Sequence, residues 1–212
     1  GIYTKSCDGV VVRDNRISSI FPGSRGTGHA TYGIAFSHDR GQPPSNNCAA
    51  INNVVENVLR WEGLDAHQGS RLRFIGNVVR NCRVGIMIGA TDNAGPKREA
   101  MRDIVITDNV IVSDVPKKNP KEPLPGQQNQ GFGIVVHGHA AEPELQPPLP
   151  HLLLKNAIIS NNMIRGHGGK NPFSEKGGRQ AAIAIARTDG VIISGNMVSD
   201  YDIAGIKFGA LN

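Results

Sequence analysis

Aromatic residues make up only 5% of this 212-residue chain. That scarcity excludes an interior built from large rings and leaves Val, Ile and Ala to fill it. Cysteine is also scarce, with only Cys7, Cys48 and Cys82 present, and their spacing matches no zinc site and no redox pair. No apolar run reaches the roughly 18 residues of a membrane helix. A glycine-rich phosphate loop, a serine nucleophile elbow and a zinc pattern are all missing. Basic helices interleaved with aromatics are missing too, which argues against nucleic acid. The charge balance of 23 Lys and Arg against 18 Asp and Glu, a net +5, is mild and fits an acidic ligand. The sequence opens on Gly1, close to a strand pattern, with no initiator Met and no signal segment. It reads as a single domain over 1–212, part of a longer protein that lacks one or both end caps.

What is plentiful is Gly, at 26 residues, together with a recurring Asn. Six segments align without gaps: VVVRDNRI, CAAINNVV, LRFIGNVV, IVITDNVI, AIISNNMI and VIISGNMV. They place Asn15, Asn53, Asn77, Asn109, Asn162 and Asn196 in one column. The columns five before, three before and two after the Asn are apolar throughout. Apolar residues spaced by two on either side of a turn residue mean strand, bend, strand. Asn tolerates the left-handed backbone of a sharp bend, and its amide can bond to the same amide in the next repeat. The column five before the Asn sends Cys48 to the interior as a small hydrophobe. A third strand in each unit starts with Gly or Ala: Gly33, Gly63, Gly85, Gly133, Ala182 and Gly205.

Three short strands per unit, at a period of roughly 22–24 residues stretched by insertions, predict an all-β parallel solenoid of about six rungs. A leucine-rich horseshoe would need leucine columns and a helical return, and neither is present. The pattern resembles the right-handed parallel β-helix, or pectate-lyase-like, superfamily over nearly the whole chain. Members of that superfamily that act on polysaccharides mostly work on the sheet matching the Gly-led strands here.

Insertions at 18–32, 113–131 and 165–181 precede the Gly-led strands, and those at 38–47, 90–100 and 138–153 follow them. Loop walls on both sides would make that sheet the floor of a groove, the usual binding face of a solenoid. Strand alternation points the third and fifth residues of each Gly-led strand outward. Asp65 and His67 then share one exposed face, with His137 two rungs and roughly 10 Å away. A carboxylate beside an imidazole orients it and raises its basicity, so Asp65, His67 and His137 are the expected catalytic group. His38, Asp39, Arg40, His139, Arg187 and Lys207 lie at strand ends or on the same face as expected substrate contacts. The cations among them could neutralise a sugar carboxylate. Trp61, the only tryptophan, is either a stacking platform for a sugar ring or a packing residue under a loop.

No cofactor or metal is expected. Asp92, Asn93 and Glu99 could hold calcium or be simple turn residues, and His137 and His139 lack a third ligand. Glu142 or Glu144 could pair with Asp65 for glycoside hydrolysis, but their loop position is open. The run Gly63-Leu64-Asp65-Ala66-His67-Gln68 is similar to the DPHD stretch of mannuronan C5-epimerases, with Ala66 in place of Pro and Gln68 in place of the second Asp. It is also similar to strands in β-helix proteins of bacteriophage tails. Two functions therefore stand. One is a carbohydrate-active domain that binds an acidic polysaccharide and cleaves or epimerises it as a lyase, a hydrolase or a C5-epimerase. The other is a non-catalytic glycan-binding rod of a tail spike or bacterial surface protein, as a homotrimer. Either places the chain outside the cell, secreted or on a virion or cell surface. A third reading is a stretch of a larger protein with no site of its own.

Overall fold

The computed structural model describes residues 1–20, 31–39, 41–58, 61–89, 99–114, 131–139, 152–167, 181–201 and 204–209. Nineteen strands form three parallel sheets, and no helix occurs among the described residues. The first sheet stacks the Gly-led strands: β1 (Ile2–Lys5), β4 (Ile34–Ser37), β7 (Glu62–His67), β10 (Val84–Gly89), β13 (Phe132–His137), β16 (Ile183–Ala186) and β19 (Ile206–Phe208). The second holds the strands before the Asn: β2 (Val11–Arg13), β5 (Ala49–Ile51), β8 (Arg73–Ile75), β11 (Arg102–Thr107), β14 (Leu154–Ser160) and β17 (Thr188–Ser194). The third holds those after it: β3 (Arg16–Ser18), β6 (Val54–Glu56), β9 (Val78–Arg80), β12 (Val110–Val112), β15 (Met163–Arg165) and β18 (Met197–Ser199). Each strand pairs with its counterpart one repeat away. This is a parallel β-helix.

The apolar columns become continuous stacks. Val12, Ala50, Phe74, Ile106, Ile159 and Ile193 follow one another up the second sheet. Ile17, Val55, Val79, Ile111, Ile164 and Val198 do so up the third. Ile34, Leu64, Ile86, Ile134 and Ile183 line the first. Burial of one such side chain contributes about 1.5–3 kcal/mol. Cys48 is buried in the core as its column requires, and all three cysteines are free. Burial pushes the Cys82 thiol up to about 12, so it stays protonated.

Of the two roles its sequence suggests, the Asn column takes the amide ladder and leaves the bend to its neighbour. At this bend the left-handed backbone belongs to the residues just before the Asn, namely Asp14, Asn52, Gly76, Asp108, Asn161 and Gly195, with φ between 53° and 65°. The column Asn itself turns inward and builds a ladder. Each Nδ2 donates to the next Oδ1, from Asn15 to Asn53 (3.0 Å), Asn77 (3.0 Å), Asn109 (2.9 Å), Asn162 (2.9 Å) and Asn196 (2.9 Å). That same Oδ1 also accepts the backbone N–H of the Asn before it. Bend and ladder are thus split between neighbouring residues.

The corner glycines have a steric reason. A side chain at Gly133 would place its first carbon 2.5 Å from Cγ2 of Ile164 and 2.7 Å from the Ala182 carbonyl oxygen. The chain crosses there from the third sheet to the first, too close to both for any Cβ.

At the end of β15 the chain buries His167 almost completely, and neither ring nitrogen has a hydrogen-bond partner among the described residues. Burial lowers its pKa from 6.5 to about 4. The unfolded chain therefore takes up this proton before the folded one, and stability is lost as pH falls from 6.5 through 4. We expect a loss of about 2 kcal/mol between pH 7 and pH 5 from this group alone. Urea unfolding of a His167→Leu protein should show that part of the acid sensitivity gone. Equal slopes in both proteins would refute it.

Candidate functional site

Leu64 and Ala66 of β7 point into the core, so Asp65 and His67 occupy its outer face. The register sets Met87 and Gly89 beside them on β10, then Val135 and His137 on β13. The three expected catalytic residues thus share a face, as the strand alternation requires. That face is less open than expected. Asp65, Ala35, Val135 and Ala184 are buried, as are Ser37, His137 and Ala186. Val84, Val135, Ala181 and Ala184 form a second apolar cluster on this side, joined by Met87 and Phe132. The outer face is a packed layer, and its polar groups sit in low dielectric.

Nε2 of His67 lies 2.6 Å from Oδ2 of Asp65. A carboxylate only accepts, so it favours the proton on Nε2 and leaves the Nδ1 lone pair free to take another. Neither Asp65 oxygen makes an aligned hydrogen bond to a described residue, so the approach of Oδ2 to His67 Nε2 is a close ion-pair contact. Burial raises the Asp65 pKa, against the lowering effect of His67. Nδ1 of His38 is 3.0 Å from the His67 carbonyl oxygen, so His38 donates there and braces the strand end under His67. The Tyr32 ring meets the His67 ring edge-on at 5.4 Å and stacks on Tyr3 at 5.9 Å. Burial first, then the charges of Asp65 and Glu62, hold the Tyr32 phenol well above its ordinary value.

His137 leans across Gly89 towards β7. A methyl group on Gly89 would lie 2.8 Å from Cε1 and 2.9 Å from Cδ2 of the imidazole. Its Nδ1 is 3.0 Å from the Gly138 carbonyl oxygen and must donate to it, which leaves Nε2 as the acceptor nitrogen of the neutral ring. Gly89→Ala should push this ring aside at a cost under about 1 kcal/mol, because a side-chain end can move. The His137 ring signals should shift in NMR spectra while those of His67 stay in place. Unmoved His137 signals would refute this arrangement.

The remaining expected residues divide. Trp61, His137 and Arg187 line a cavity of about 460 Å³, together with Glu62, Arg83, Val84, Met87, Gly131, Phe132 and Val135. The Arg83 guanidinium lies over the Trp61 ring at 5.2 Å. Asp39 is engaged by Lys5 in an exposed ion pair, away from the cluster. His139 is buried, and its backbone N–H donates to the Leu152 carbonyl. Lys207 shares the outward column but sits four strands from Asp65, too far for one site. Arg40, Asp92, Asn93, Glu142 and Glu144 lie outside the described residues. Among those described, no group of three or more His, Cys, Asp and Glu could hold a metal ion. The Glu99 carbonyl accepts from Gln68 Nε2 at 3.3 Å.

Sequence reasoning missed Tyr32, Glu62 and Arg83. Glu62 is buried, with Oε2 unpartnered among the described residues. Burial, then the Asp65 charge, raises its pKa to about 8, against a lowering by Arg83. The signal was available in the position before each corner glycine. β7, β10 and β13 begin one residue ahead of their glycine, so Glu62, Val84 and Phe132 also face outward. The outer end of β7 carries an imidazole in contact with a carboxylate and a phenol, and the neighbouring cavity is lined by a carboxyl of raised pKa and two guanidinium groups. That set can bind an anion and move protons beside it.

Comparison with protein-family models, with curated proteins and with solved structures gives no match.

Proposed function

We propose that this chain is a carbohydrate-active β-helix domain that binds an acidic polysaccharide along the outer face of the first sheet and cleaves or epimerises it. The observation that carries this reading is the 2.6 Å contact of His67 with buried Asp65, beside a cavity bordered by Arg83 and Arg187. In a uronate unit the ring hydrogen next to the carboxylate is acidified when cations stabilise the negative charge left behind. His67, oriented by Asp65, takes that proton. Loss of the neighbouring glycosidic oxygen then gives an unsaturated sugar, and return of a proton from the other face gives the epimer. An extracellular setting belongs to this reading, because such polymers lie outside cells.

Acidic polysaccharides should be screened for new reducing ends and for ultraviolet absorbance of unsaturated products. Absorbance marks a lyase, reducing ends alone a hydrolase, and an NMR change without cleavage an epimerase. Asp65→Asn and His67→Gln should each lower turnover by about two orders of magnitude and keep the β-rich circular dichroism. Wild-type turnover in both would sink the assignment.

A second reading is a glycan-binding rod without chemistry, assembled as a homotrimer. The apolar floor of Met87, Val135 and Ala184 favours it. A trimeric mass in solution together with binding but no turnover would select it.

A further inference from the structure

We infer that the cavity between β10 and β13 is a subsite for one carboxylate-bearing sugar unit, adjacent to the unit held at Asp65 and His67. The inference rests on the proposed polysaccharide reading and adds what the groove selects. The cavity lies one strand along from Asp65, through Met87. Its volume falls within the range of small-molecule sites. The floor is apolar, with Met87, Val135 and Phe132 on the outer faces of their strands. Such a floor suits the C–H face of a pyranose ring.

The polar rim is cationic, and its cations are held in place. Arg83 lies on the Trp61 ring, which sets the plane of its guanidinium. Arg187 donates from Nε to the Gly138 carbonyl oxygen at 3.1 Å, a bond that spares its terminal N–H groups. Glu62 completes the rim. Burial raises its pKa to about 8, so at neutral pH its unpartnered Oε2 is available to donate a hydrogen bond to a ligand. Among the described lining residues, two guanidinium groups beside one carboxyl favour a uronate over the same sugar without its acid.

The test uses calorimetric titration of the His67→Gln protein, in which the ligand is not consumed, with tetramannuronate and tetragalacturonate and with neutral mannotetraose. One acidic oligomer should bind at least tenfold more tightly than mannotetraose, and added salt should weaken it. Arg83→Gln and Arg187→Gln in the same background should each weaken it tenfold or more, with circular dichroism unchanged. Arg187→Gln is the cleaner arm, since Arg83 also packs on Trp61. Should the wild type turn over a uronate polymer while both arginine variants bind within twofold of their parent, the subsite is wrong and the proposed function stands. Equal affinity for mannotetraose also overturns it. If no glycan is bound or turned over, the proposed function itself fails.

Discussion

Asn109→Leu should lower the unfolding free energy by about 3–5 kcal/mol, the largest stability loss expected from one buried substitution here. Leu matches the branching of Asn but is larger, so the loss combines stranded hydrogen bonds with some overpacking. Asn109 Oδ1 accepts from the Asn77 backbone N–H and from Asn77 Nδ2, both at 2.9 Å. Its Nδ2 donates to the Phe74 carbonyl and to Asn162 Oδ1, also at 2.9 Å. Substitution strands donors on one side and acceptors on the other where no water reaches, since Asn77, Asn109 and Asn162 are all buried. Each stranded group costs about 1–3 kcal/mol. A solenoid is held by nearest-neighbour contacts, so a break in mid-ladder should also uncouple the two ends. Urea denaturation should show a lower midpoint and a shallower slope. Asn196→Leu makes the contrast. Asn196 is half-buried and, among the described residues, has no ladder partner beyond it, so it should cost less than half as much. A loss under about 1 kcal/mol for Asn109→Leu would remove the ladder as a source of stability.

The ladder was legible in the sequence because it is periodic, and periodicity survives insertions that hide everything else. The same ruler fixed the inward stacks and the pairing of Asp65 with His67, which needs only a two-residue spacing on one strand. It misread the bend. Asn is the residue type most associated with left-handed backbone outside Gly, yet the mixed column of Asp14, Asn52, Gly76, Asp108, Asn161 and Gly195 takes that conformation. Identity in a column reflected side-chain bonding, and variety marked the backbone constraint. Tyr32, Glu62 and Arg83 were passed over, because taking the corner glycine as the first strand residue consigned what precedes it to loop. At a corner the glycine and the residue after it both face inward, so simple alternation fails for one step. Burial of Asp65 was not legible, since alternation gives direction and says nothing of what covers a face.

Glu62→Gln should stabilise the protein at alkaline pH, by about 4 kcal/mol at pH 8. The folded protein holds this carboxyl protonated to about pH 8, against an ordinary 4.5, chiefly because it is buried and secondly because Asp65 stands nearby. Below pH 4.5 the group is neutral in both states and costs nothing. As pH rises from 4.5 towards 8 the unfolded chain releases the proton and the folded one does not, so the unfolded state gains. The loss amounts to about 1.4 kcal/mol per pH unit, and it levels off above 8 when both states are ionised. Gln keeps the shape and cannot ionise. Stability curves of the two proteins should therefore meet near pH 4.5 and diverge as pH rises. Parallel curves from pH 5 to pH 9 would show that Glu62 is ionised in the fold and refute the assignment. A fold made more stable by removing a carboxyl holds that carboxyl for another reason. Position supplies one, since Glu62 borders the cavity with Arg83, Arg187 and His137. With a working assay for turnover, the same substitution should abolish an alkaline limb of activity centred near pH 8, because ionised Glu62 would repel an anionic sugar from that cavity.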